Sequence, residues 1–139
     1  MASFLDPTKE RDAHIEQRLH TDHITWLITV RPDGRPHAVA VWFLWDGDTI
    51  LIFSRPNNQK LRNLQSNPNV LLALDDTHQG FDPITIEGTA TLLATGDAAI
   101  NHTAYLEKYV ENMKQIGFIP EQMVAQYSQA IRIRPTRVM

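Results

Sequence analysis

The stretch FSRPNNQKLRNLQSNPNV, residues 53–70, gathers Arg55, Lys60 and Arg62 among serine and asparagine side chains. The chain carries a formal net charge of −3, yet residues 49–74 contain no Asp or Glu. An apolar run ending in Phe53 and Ser54 feeds a Pro-Asn-Asn turn, and the turn opens a helical pattern with Lys60 near its start. Helix N-termini present unpaired N–H groups and the positive end of the helix dipole, which suits an anion such as phosphate. Ser54 and Asn58 offer hydrogen-bond donors, while Arg55 and Lys60 offer charge. The segment holds no glycine, so it is neither a Walker loop nor a dinucleotide fingerprint. A solvated basic surface loop accounts for the same residues, and the segment alone leaves both readings open. On spacing, Lys60 reads as an exposed lysine that supports little structure, and Arg62, two residues on, points elsewhere.

Other chemistry is thinly represented. His20 and His23 lie three apart, and His78 follows Asp75 and Asp76, but neither place offers a third or fourth ligand at metal-site spacing. Capping of a helix end and solvation of a loop explain these histidines, so no metal is expected. There is no cysteine and no G-x-S-x-G elbow. Asp75, Asp76 and Glu87 are candidate general bases, although a lone strand carboxylate is usually structural. No catalytic residue is assigned. Trp42 and Trp45 have opposite strand parity and therefore face opposite ways. One belongs to the core; the other either stacks on a flat ring or fills a subunit interface.

These residues need a frame to hold them. With 139 residues, 42% hydrophobic and 21% charged, the chain is too apolar for disorder and is expected to form one domain over residues 1–139. Residues 1–12 show neither a basic n-region nor an apolar h-region, and no run approaches the roughly 20 apolar residues of a membrane helix. The expectation is a cytoplasmic protein with no membrane partner. A mildly acidic chain also argues against nucleic acid.

Asp6-Pro7 signals a helix over residues 7–21. Residues 23–30, 37–45 and 49–54, separated by the RPDGRP and DGD turns, read as a three-strand antiparallel meander. A short helix around residues 58–66, strands over residues 67–76 and 84–94, a helix over 97–116, a helical piece over 121–127 and a strand over 130–135 complete the pattern. Gly88, inside the fifth strand, marks a bulge or a barrel bend. The sum is a mainly β fold, a six-stranded antiparallel barrel dressed with α-helices.

Three elements in this order, the DG-x-P turn into a long apolar strand, S-R-P-x-x-x-K-x-x-N-L and E-G-x-A, resemble the split β-barrel flavin and deazaflavin proteins related to pyridoxamine 5′-phosphate oxidase. The resemblance covers residues 5–137, and VWFLWDGDTILIFSRP with KLRNL is most similar to the small reductases that use coenzyme F420. It implies the FMN-binding split-barrel fold and a homodimer with two cofactors in grooves between subunits. Val39, Ala40, Val41 and Trp42 would lie along the ring system, Phe53 and Ser54 would reach the ribityl chain and phosphate, and Lys60 would bind the phosphate. Arg55 and Asn58 are neighbours argued from loop chemistry. Where FMN oxidases of the family have Arg-Lys, this chain has Gln59-Lys60. One cation fewer favours the phosphodiester of F420 over the dianionic phosphate of FMN. The C-terminal Arg-x-His of the vitamin-making oxidases is not found, so pyridoxamine phosphate oxidation is not expected. The implied reaction is hydride transfer to a small unsaturated or quinone-like acceptor. Alternatives on the same fold are an FMN-dependent oxidoreductase and a non-catalytic flavin or tetrapyrrole carrier.

Overall fold

A computed structural model of the chain describes residues 4–74, 81–94 and 99–138. In chain order the elements are α1 (Glu10–Thr21), β1 (Thr25–Val30), β2 (Pro36–Val41), β3 (Leu44–Trp45), β4 (Ile50–Ser54), α2 (Gln59–Ser66), β5 (Asn69–Leu74), β6 (Ile84–Leu92), α3 (Ala99–Lys108), α4 (Val110–Ile116), α5 (Pro120–Gln126) and β7 (Gln129–Val138). All strand pairs are antiparallel and form one sheet in the order β2-β1-β5-β6-β7-β4-β3. Its two edge strands, β2 and β3, are separated in the chain by Trp42 and Phe43 alone. So short a link forces the sheet to curl back on itself, which makes the split barrel. No helix among the described residues is long and apolar enough to cross a membrane.

Seven strands replace the expected six, because the strand expected over residues 37–45 breaks at Trp42–Phe43. The expected meander is corrected as well. β2 pairs with β1, but β4 lies across the barrel between β3 and β7. Burial explains the placement: all five residues of β4 are buried, and a strand buried on both faces needs a cover on each. Ile50 and Ile52 point into the barrel with Leu27, Leu72, Ile86 and Ile133, where α1 adds Ile15 and Leu19. Leu51 and Phe53, of opposite parity, pack under Tyr105, Tyr109, Met113 and Met123 of the helical layer.

Two helix boundaries also shift. The first helix begins at Glu10 rather than Pro7, because the Asp6 carboxylate accepts bonds from the Thr8 N–H and hydroxyl and closes a turn first. The single helix expected over residues 97–116 is two, α3 and α4, meeting at Tyr109. Gly88 does sit at a register shift between β6 and β7. A Cβ there would lie 2.8 Å from the Ile133 side chain and 2.9 Å from the Arg134 carbonyl oxygen, so close strand approach requires glycine.

The strand break and the helix break are one contact. The Phe43 N–H donates to the Tyr109 hydroxyl at 2.8 Å. The hydroxyl has a single proton, and the His23 carbonyl receives it at 2.6 Å. The Phe43 carbonyl is supplied by Lys108 Nζ at 2.8 Å, with the ammonium 3.9 Å from the Phe43 ring centroid. Strand parity runs through the break, so Phe43 and Trp45 face the barrel core while Trp42 and Leu44 face the helices. Trp45 is the core tryptophan, its indole N–H donating to Glu16 at 3.0 Å. Trp42 stacks on Tyr109 at 4.5 Å with 4° between ring planes.

Tyr109→Phe strands the fully buried Phe43 N–H, and chemical denaturation should show a loss of about 1–3 kcal/mol with a weakened near-ultraviolet signal from Trp42. Burial holds the Lys108 amine at about 8, below the ordinary 10.5. The unfolded chain therefore binds more protons than the folded one between these values, and stability contributed by this group rises as pH rises through that window. Lys108→Met should be flatter than the parent when urea midpoints are compared at pH 7 and pH 9.5; parallel profiles would place the titration elsewhere.

Candidate functional site

A cleft of about 370 Å³ opens where β2 runs past the helical layer. Val39, Ala40, Val41 and Trp42 all line it. Four consecutive strand residues cannot point the same way, so the cleft follows the free edge of β2, where backbone N–H and C=O groups lack a strand partner. Ile24 and Phe53 lie deeper, and Tyr105, Met123 and Tyr127 form an aromatic and thioether wall with Ile116 and Phe118 at the lip. Phe53 meets Tyr105 edge-on at 4.7 Å, so these rings hold one another in place.

Charge is confined to one end, where the turn after β4 leads into α2. Lys60 lines the cleft there with Asn58 and Arg55. Contrary to the expectation of an exposed lysine, Lys60 is 9% exposed. Its stem packs with the buried face of α2, which includes Leu61 and Leu64, and burial pulls its ammonium below the ordinary lysine value. That ammonium makes no hydrogen bond or ion pair with any described residue. A desolvated, unpartnered cation is costly, and an anion in the cleft would relieve the cost. Asn58, the N-cap of α2, does not cap with its side chain; its amide donates to the Ser54 hydroxyl at 3.5 Å. The first backbone N–H groups of the helix are thus left without a side-chain acceptor.

The other residues singled out by sequence divide. Arg55 is exposed, donates to Gln126 at 3.1 Å and lies 5.1 Å over the Tyr127 ring, bridging the turn to the end of α5. Ser54 is buried and donates to the Arg55 carbonyl at 2.8 Å, so its hydroxyl serves the turn and not the cleft wall. Gln59 also lies off the wall: its amide donates to Asn63 at 2.7 Å and its carbonyl accepts from Arg62 at 2.7 Å. Arg62 is exposed and also donates to the Asn57 carbonyl. Glu87 lines a separate hollow on the outer face of β5 and β6. Asp75, Asp76 and His78 lie outside the described residues. His20 contacts Glu16 at 3.1 Å, His23 packs against Tyr109, and no group of three potential metal ligands occurs among the described residues.

Sequence reading missed Tyr105, Phe118, Met123 and Tyr127, which come from α3, the link between α4 and α5, α5 and the residue that ends it. Tyr105 and Tyr109, four apart, were legible only as a core-facing helical stripe. No Asp, Glu, His or Cys lines the cleft among the described residues. Its own side chains can hold a flat ring system and an anionic end, and its titratable groups among the described residues are those of Lys60, Arg55, Tyr105 and Tyr127.

Comparison with known proteins accords with this geometry. The family described as pyridoxamine 5′-phosphate oxidase matches residues 12–139. An F420 reductase of known structure is 25% identical, with 89% of this chain and 94% of that chain covered and a TM-score of 0.69. A conserved hypothetical protein of Mycobacterium tuberculosis is 26% identical, with 91% and 81% covered and a TM-score of 0.72. General stress protein 26 of Bacillus subtilis is 32% identical over 88 residues, which span 63% of this chain and 58% of that protein's length. A match over nearly the whole barrel, with the fold shared, means that the chain belongs to the pyridoxamine 5′-phosphate oxidase family.

Proposed function

We propose that the chain is an oxidoreductase that binds coenzyme F420 in the β2-edge cleft and passes a hydride between it and a small unsaturated or quinone-like substrate. The observation that carries this reading is Lys60: a buried lysine that lines the charged end of an otherwise aromatic cleft, its ammonium without a partner among the described residues. The residues fit the group. The edge of β2 offers backbone donors and acceptors to the polar rim of a planar heterocycle, Trp42 and Tyr105 offer ring faces, and Lys60 with the first N–H groups of α2 offers a phosphate site. When bound, a deazaflavin supplies two-electron hydride chemistry. The chain supplies binding, orientation and exclusion of water, in keeping with a wall that has no carboxylate, imidazole or thiol among the described residues. Similarity to an F420 reductase supports the same cofactor.

One observation keeps FMN as a second reading. The cation expected to distinguish the two cofactors would stand at position 59, and the Gln59 side chain is turned onto α2 rather than into the cleft. The absence of a cation at that position therefore does not by itself exclude the FMN phosphate.

The site also calls for a second copy of the chain. On the outer sheet face Trp26, Ile28 and Val30 of β1 stand beside Ala38 and Ala40 of β2 and Leu71 and Ala73 of β5. Trp26 is 44% exposed. An apolar sheet face of this kind marks an association surface. It meets the cleft at Ala40, paired with Trp26 across the strands and also part of the cleft wall. A partner seated on this face would extend that wall.

Titration of the purified protein with F420 and with FMN, followed by fluorescence, should give tighter binding of F420. Lys60→Ala, and Lys60→Met, which keeps the apolar stem, should each weaken F420 binding roughly 10- to 150-fold, the loss of one charge-assisted hydrogen bond. Arg62→Ala should bind normally; the reverse ranking would mean that the wrong face of α2 has been chosen. Sedimentation should report about twice the 15.9 kDa chain mass, and Trp26→Glu should shift it towards one chain while weakening cofactor binding.

A further inference from the structure

Two buried side-chain nitrogens have no hydrogen-bond partner among the described residues, His37 Nδ1 and Arg132 Nε, and the first of them lies on β2, the strand that borders the cleft. His37 lies on β2 directly opposite Thr29 in the β1–β2 register, and it shares a strand face with Val39, two residues on, which lines the cleft. The Thr29 hydroxyl accepts from Asn63 Nδ2 of α2 at 2.9 Å. Asn63 and Lys60 stand three apart on the buried face of that helix. The imidazole is thus held one step beyond the cleft wall, at the end where Lys60 stands.

The charges around it share one sign. Arg31, just after β1, and Lys60 on α2 both act on His37, and together with burial, the larger cause, they hold the imidazole below the ordinary histidine value of 6.5. Asp33, in the turn between β1 and β2, is exposed and paired with Arg35 at 2.8 Å. Gln59 and Asn63, the α2 neighbours, are neutral. No carboxylate acts on His37 among the described residues. In the absence of ligand the ring is therefore neutral near pH 7, and its buried nitrogen has nothing to bond.

We propose that His37 is a second, proton-coupled contact for the phosphate group held at Lys60, so that binding of the phosphate draws a proton onto its imidazole. This rests on the reading of the cleft as a phosphate-bearing cofactor site and adds a residue and a pH dependence to it. A phosphate beside His37 offsets the repulsion from Lys60 and Arg31 and provides an acceptor, so the bound complex favours the imidazolium. Linkage then requires affinity to rise as pH falls through the window between the two protonation equilibria.

Isothermal titration of the full chain with F420 and with FMN, from pH 8 to pH 6 in buffers of different ionisation heat, counts the protons taken up. The F420 phosphodiester does not titrate in this range, whereas a phosphomonoester does, near pH 6. F420 therefore gives the cleaner count. The parent protein should take up a substantial fraction of one proton and bind about 3- to 10-fold more tightly at pH 6 than at pH 8. His37→Gln should lose most of that uptake and show a flat profile, with contributions from Lys60 cancelling in the comparison. The His37 ring resonances of the unmodified protein should titrate at higher pH with cofactor bound, which tests the same claim without a variant. If binding stays dependent on Lys60 while proton uptake is equal in parent and His37→Gln, or the ring resonances do not move, this inference falls and the cofactor site stands. If neither cofactor binds at any pH, both fall.

Discussion

The grip of the Tyr109 hydroxyl and the Lys108 amine on the Phe43 peptide is the constraint on which the rest of the structure depends. The sheet curls until its two edges are separated by two residues of chain, and at that seam neither strand ladder can satisfy the Phe43 backbone. A buried peptide without partners is costly. The helical layer meets the need with two side chains from the junction of α3 and α4. In doing so it fixes the height and tilt of that layer over β4, places Tyr109 flat against Trp42 and leaves the free edge of β2 facing an aromatic wall.

Around this seam the protein keeps two kinds of interior apart. The barrel core is aliphatic apart from Phe43 and Trp45, and tight enough that Gly88 must lack a side chain where β6 meets β7. The helical side is built from rings and methionine: Phe53, Tyr105, Tyr109, Met113 and Met123. β4 belongs to both, its even-numbered residues facing one core and its odd-numbered residues the other. The aromatic side borders the cleft, and flat, polarisable side chains are suited to a planar conjugated partner.

Electrostatics mark the direction of the cleft. Its wall, without a carboxylate among the described residues, is apolar for most of its length and ends in Lys60, which burial holds below the ordinary lysine value. The packing of α2 partly desolvates Lys60, so a bound anion would meet a cation already held in place. Preorganisation of this kind turns one lysine into a useful anchor, whereas an exposed lysine would be screened by salt.

The sequence by itself determined the elements and the chemistry of single segments. Alternation of β-branched residues marked the strands, the Pro-Asn-Asn turn with Lys60 marked a local cluster of cations, and Gly88 marked the bend, because each signal is local and rests on backbone or side-chain period. The opposite facing of Trp42 and Trp45 was also legible, since parity survives a two-residue break. Which tryptophan is buried was not, nor that β4 lies beside β7 instead of β2, nor that Lys60 is buried while Gln59 turns away. Those outcomes rest on contacts between residues far apart in the chain, such as Phe43 with Tyr109 or Thr29 with Asn63 of α2, where burial and the need to satisfy polar groups override local propensity. Only the closed sheet brings such residues together, and so only the tertiary structure decides them.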